Sequence, residues 1–148
     1  MSRMVRPSPD IARGAGAVLF FLIAGIHFLN LPAGFRLGGY VGVSLVLSCV
    51  INFAGVVGIM VEPRARIWWY ALVTGGLTLI AWIVTQSVGL PLTTEEVSGQ
   101  WVREPVVLAQ PFVAASLAAL AGWVLLSRAY EDTNATLSRE RERLLHRR

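Results

Sequence analysis

The chain has 148 residues, of which 55% are hydrophobic and only 15% charged, with a mean hydropathy of +0.60. Soluble domains carry roughly 25% charged residues, and a domain of this size keeps much of its surface exposed. So much apolar material therefore excludes an ordinary soluble domain and implies that lipid solvates it. All thirteen basic side chains are Arg and none is Lys, which removes Schiff-base chemistry and a phosphate-loop lysine. Cys49 is the single cysteine, so an intramolecular disulfide, a Cys-x-x-Cys pair and a thiolate metal cluster are all excluded. The isoelectric point near 10.2 does not indicate nucleic acid, because net charge is only +4 and the Arg residues flank apolar segments.

Four apolar runs follow one another at about 11–31, 38–61, 67–90 and 106–127, each near the roughly 20 residues needed to cross hydrocarbon. Asp10 after Pro9 is the expected N-cap of the first. Leu31-Pro32, Glu62-Pro63 and Leu90-Pro91 read as stops of the first three spans, and Glu104-Pro105 opens the fourth with proline in its first turn. Past Arg13 no Asp, Glu or Arg interrupts any span. Trp68, Trp69, Tyr70 and Trp101 fall near span ends, where interfacial aromatics belong. The first run is too long for a signal-peptide core and lacks a small-residue cleavage motif, so it reads as a retained span.

The expected fold is an all-α four-helix transmembrane bundle. Residues 1–10 form an N-terminal flank, 11–127 the membrane domain and 128–148 a basic tail with a helix-compatible Arg/Glu pattern. Eleven of the thirteen Arg residues lie in the N-terminal flank, the second loop and the tail, leaving only Arg36 and Arg103 on the other side. The positive-inside rule then puts both termini in the cytoplasm.

Small residues at four-residue spacing let helices approach closely in lipid. Gly38 and Gly42, Ala54 and Gly58, Ala71 and Gly75, and Ala114, Ala118 and Gly122 form such ridges. Asn52, Thr74 and Thr78 are expected to join helices by hydrogen bonds.

His27, Gln86 and Gln110 each stand four residues inside the outer end of a run, roughly 6 Å deep at ~1.5 Å per residue. With Asn30, Tyr40 and Ser44 they suggest an outward-facing polar pocket centred on His27. Glu104 is its expected charged partner, and Arg36, Glu95, Glu96 and Arg103 belong above it. An intramembrane ionisable residue raises a functional hypothesis, yet a backbone carbonyl or water also satisfies a histidine near an interface. Gln110 precedes Pro111, whose missing N–H frees a carbonyl one turn earlier, so its amide equally suits repair of that kink. His27 and His146 fall on opposite sides and cannot share a haem. Copper lacks a ligand set, because Cys49 and Met60 lie deeper or at the inner end. No metal or cofactor is expected, and no nucleophile and base pair stands out for catalysis, although Ser44 and His27 are within possible reach.

Three pieces together carry a resemblance: Ala24-Gly25-Ile26-His27-Phe28 in the first span, Thr85-Gln86-Ser87-Val88-Gly89-Leu90-Pro91 closing the third, and Glu104-Pro105 after an acidic loop. Over about 15–126 the chain resembles a group of small, uncharacterised bacterial four-helix integral membrane proteins with a first-span histidine and a Gly-Leu-Pro to Glu-Pro outer loop. The resemblance implies the four-helix fold and a link between His27 and that loop, and implies no established activity. The chain departs from the group at Gln86, where a basic residue is common.

Two functions follow as expectations. The first is a non-enzymatic accessory or structural protein of the bacterial cytoplasmic membrane, whose ridges or outer loop engage a membrane protein partner or a second copy. The alternative is an outward-facing binder or carrier of a small amphipathic molecule, a lipid or quinone, at the His27 pocket. An oxidoreductase with a borrowed cofactor ranks third. The topology has its own test: a fluorescent-protein fusion at the C terminus is expected to fluoresce in a bacterial host, and an alkaline phosphatase fusion there to stay inactive. The reverse pattern would overturn the assignment.

Overall fold

The computed structural model describes residues 8–90, 93 and 105–145, all of the described elements being helices. The expected all-α four-helix bundle is present: α1 (Pro9–Leu29), α3 (Gly39–Val61), α4 (Ala65–Val88) and α5 (Pro105–Leu145) are each long and apolar enough to cross a membrane. A short α2 (Leu31–Leu37) lies between the first two of these. Large apolar side chains such as Val50, Phe53, Val73, Leu77 and Ile80 are exposed along the spans, a surface that only lipid solvates at low cost. The chain is a multi-pass membrane protein.

Local chemistry places several boundaries differently from the sequence reading. Ser8 rather than Asp10 is the N-cap of α1: its hydroxyl accepts from the Ile11 N–H at 3.2 Å, with Pro9 in the first turn and Asp10 behind it. Leu31-Pro32 does not end the helical path. Asn30 stays in the α-helical region and its carbonyl accepts from the Gly34 N–H at 2.8 Å. Pro32 then falls in the first turn of α2, where its missing N–H costs nothing. The α4 helix closes one residue before Gly89, whose φ of 83° is a left-handed conformation that glycine adopts without strain. The fourth span and the tail form one helix, and residues 129–140 are exposed all round.

Packing order follows from where small residues sit. α1 lies between α3 and α5, α5 packs on α4, and α3 and α4 touch only sparsely. Gly75 provides the closest approach of α4 and α5, since a Cβ there would stand 2.8 Å from the Ala114 carbonyl oxygen and 3.0 Å from the Ala118 nitrogen. Between α1 and α3, Gly16 lies under Ile59 and Gly55 under Phe20, while Cys49 Sγ donates to the Ala24 carbonyl at 3.5 Å. Gly42 takes Phe35 of α2, and Gly58 takes the tip of Ile67. Phe20, Ile23, Ile59, Ala71, Ala114, Leu117 and Ala121 complete a fully buried core.

The expected ridges need correction in three places. Ala54 is exposed, and its neighbour Gly55 makes the helix contact because it lies on the face turned to Phe20. Gly122 has open space where a Cβ would stand. Gly38 is the extended joint between α2 and α3 rather than part of a helix ridge. Trp68, expected at an interface, is 2% exposed and packs near Gly16, whereas Trp69 is exposed. Trp101 lies outside the described residues.

A matched pair of substitutions tests this packing. Gly75→Ala forces a methyl group against backbone that cannot rotate aside and is expected to cost about 1–3 kcal/mol. Gly122→Ala meets nothing within 4 Å and is expected to leave stability unchanged or slightly raised. Thermal unfolding of the two variants in mild detergent reads the difference.

Candidate functional site

Helix register decides which polar side chains meet. The pairs Ala24–Cys49, Phe20–Gly55 and Gly16–Ile59 run α1 and α3 antiparallel, which brings His27 level with Ser48. Ser48 stands nine residues from the outer start of α3, about 13 Å by helix rise. His27 is therefore deeper than its sequence position suggests, because α2 carries the first helical path further outward along α3. The contact of Gly75 with Ala114 and Ala118 likewise sets Gln110 level with Ala81.

At that depth the sparse contact between α3 and α4 leaves a cleft of about 240 Å³. All four spans contribute polar groups to it: His27 from α1, Ser48 and Asn52 from α3, Thr74 and Thr78 from α4, and Gln110 from α5. Ile51 and Leu77, both exposed, flank its mouth, so it opens sideways toward lipid. The volume is well above the ~10–15 Å³ that holds one water and below the ~300 Å³ at which drug-sized pockets begin.

Hydrogen bonding fixes part of the wall and leaves the rest unused. Gln110 Nε2 donates to His27 Nε2 at 3.2 Å, an arrangement that puts the imidazole proton on Nδ1. His27 is 5% exposed, and its Nδ1 has no partner among the described residues. Asn52, 1% exposed, donates from Nδ2 to the Ser48 carbonyl of its own helix at 2.8 Å and leaves Oδ1 unpartnered. Asn52 is thus not the interhelical link expected of it. A buried hydrogen-bonding group left unpartnered costs roughly 1–3 kcal/mol.

The other residues singled out in the sequence fall elsewhere. Asn30 Nδ2 donates to the Ile26 carbonyl and closes α1. Ser44 Oγ donates to the Val41 carbonyl on an exposed face, and Tyr40 is exposed. Gln86 is buried with Oε1 unpartnered but stands five residues outward of Ala81, so it lies above the cleft and not in its wall. Glu104, Arg103, Glu95 and Glu96 lie outside the described residues. Sequence reasoning missed Ser48, which is four residues before Asn52 and shares its helix face.

Bonds to backbone carbonyls also link the helices. Tyr70 OH donates to the Ile51 carbonyl at 2.6 Å. Arg13 donates from Nε to the Ile59 carbonyl at 2.9 Å and from Nη2 to the Met60 carbonyl, tying α1 to the last turn of α3. Arg128 Nη2 donates to the Pro63 carbonyl at 3.2 Å. Among the described residues no group of three His, Cys, Asp or Glu side chains is placed to hold a metal ion.

These features define a four-span helical membrane protein with a polar cleft inside its lipid-facing surface. No protein-family model, curated protein or solved structure matches the chain.

The strength of the wall can be measured. A double-mutant cycle on His27→Phe and Gln110→Leu is expected to give a coupling of about 0.6 kcal/mol, the mean for hydrogen bonds between membrane helices. A coupling of zero would mean that the two side chains do not share a bond in the membrane.

Proposed function

We propose that the protein resides in the bacterial cytoplasmic membrane with both termini in the cytoplasm and binds the head group of a small amphipathic molecule, a lipid or quinone, in the cleft between α3 and α4. The observation that carries this reading is the convergence of six polar side chains from four helices on one cleft, with Asn52 Oδ1 and His27 Nδ1 still unpartnered among the described residues. Polar groups inside a bilayer are expensive unless they serve packing or a ligand. These surround space in place of filling it. Lateral opening past Ile51 and Leu77 gives a lipid-dissolved molecule an entry route without passage through water. The bacterial location rests on the resemblance in the first and third spans, and the orientation on the Arg distribution.

Binding rather than catalysis is the activity this wall supports. Its hydroxyl, amide and imidazole groups can hold a carbonyl or hydroxyl head by hydrogen bonds. Ser44, the one hydroxyl considered as a nucleophile beside His27, is spent on the Val41 carbonyl and lies outside the cleft.

A second reading, an accessory protein for a membrane partner, draws on α5. Beyond Arg128 this helix is an exposed rod over 129–140, and the alternation of Arg and Glu that begins at Arg139 in the sequence suits a charged partner at the Arg-rich end.

Native mass spectrometry in mild detergent separates the two readings. The wild-type protein is expected to retain a small-molecule adduct that Thr78→Leu, which fills the cleft, removes. A short-chain ubiquinone or a lysophospholipid is then expected to raise the unfolding temperature of wild type only, with about 2.7 kcal/mol gained at a hundredfold excess over Kd. Equal shifts in wild type and Thr78→Leu would sink the cleft as the site. A second protein retained equally by both would favour the accessory role.

A further inference from the structure

At the Arg-rich end of the bundle, the start of α1, the turn between α3 and α4 and the middle of α5 enclose a second space of about 80 Å³. Its floor is apolar, made by Ala12, Trp68 and Val124, and its rim carries Arg13, Arg128 and Ser127. Both arginines are half-buried residues, and their guanidinium groups are held by backbone: Arg13 on the Ile59 and Met60 carbonyls, Arg128 on the Pro63 carbonyl. Carbonyls fix their position and carry only partial charge. Among the described residues neither Arg has a carboxylate within salt-bridge distance, and Glu62 of the nearby turn pairs with Arg64. Ser127, which also lines the space, is 7% exposed, and its Oγ has no hydrogen-bond partner among the described residues.

Two fixed positive charges, an unpartnered hydroxyl and a space of this size ask for a compact oxyanion with several acceptor atoms. Arginine has five N–H donors; Arg13 uses two on carbonyls and Arg128 one, so both keep donors for such a group. Exposed Ile11 and Trp69 stand one residue from Ala12 and Trp68 and offer apolar surface at the same level. We propose that Arg13, Ser127 and Arg128 form a binding site for the phosphate group of an anionic phospholipid in the leaflet at the Arg-rich end. The site is separate from the cleft and independent of its ligand. Sequence position alone counts these arginines as topology signals, and the structure turns two of them inward onto one space.

The test uses the full chain in mild detergent, titrated separately with dioleoylphosphatidylglycerol, dioleoylphosphatidylcholine and inorganic phosphate, with bound mass and unfolding temperature as readouts. One phosphatidylglycerol is expected to bind about tenfold more tightly than phosphatidylcholine. Arg128→Gln and Ser127→Ala are expected to weaken it at least fivefold, whereas Arg139→Gln, which removes one charge from the exposed tail, leaves it unchanged. Ser127→Ala keeps the guanidinium ties, so it decides the question even where Arg128→Gln fails to fold. Binding of inorganic phosphate with the same sensitivity to Ser127→Ala would support the site and identify a free anion as its source. No preference for the anionic lipid together with no phosphate binding would overturn it, as would an equal loss in Arg139→Gln.

Discussion

The close approach of α4 and α5 at Gly75 is the constraint on which the rest of the arrangement depends. A glycine facing the Ala114 carbonyl and the Ala118 nitrogen lets two backbones meet nearly in contact, and lipid supplies no hydrophobic force that would achieve this otherwise. α1 packs equally tightly on α3 through Gly16 and Gly55. Two tight pairs, joined where α1 meets α5, hold α3 and α4 apart even though a short turn connects them. The cleft is the space left by that division. It lies where α3 and α4 present Ser48, Asn52, Thr74 and Thr78 in place of interdigitating apolar side chains.

The same architecture sorts polar residues into two uses. Some act as ties: Tyr70 and Arg13 donate to carbonyls of α3, and Asn30 closes α1. Others face space. Gln110 holds the His27 ring by one nitrogen, and the second ring nitrogen and the Asn52 carbonyl oxygen keep their capacity. A polar group that ties helices together is satisfied by the fold, whereas His27 Nδ1 and Asn52 Oδ1, which line the cleft, have no partner among the described residues. That distinction carries the binding proposal, and at the Arg-rich end it carries the lipid-phosphate proposal through Ser127.

Much of the fold was legible because the bilayer imposes it. Uninterrupted apolar stretches of this length must be helices, since backbone groups in hydrocarbon have to be satisfied within the segment. Proline positions misled at Leu31-Pro32, where the chain begins a new helix, because a proline is harmless in a first turn. The candidate site was legible only in part. Polarity alone singles out His27 and Gln110, and the structure brings them together. Depth counted from run ends groups Asn30, Tyr40 and Ser44 with them, and α2 invalidates that count by extending the first helical path.

The sequence by itself determined the class of protein, the number of spans and the charge asymmetry of their flanks, because these depend on length, apolar content and Arg position alone. Only the tertiary structure decided that α1 stands between α3 and α5, that Ser48 and Asn52 face Gln110 across a cleft, and that Arg13 and Arg128 turn toward one space. The reason is rotational. Composition fixes how far along a helix a residue lies, but which face meets which neighbour is set by where glycines allow backbones to touch, and that is a property of pairs of helices.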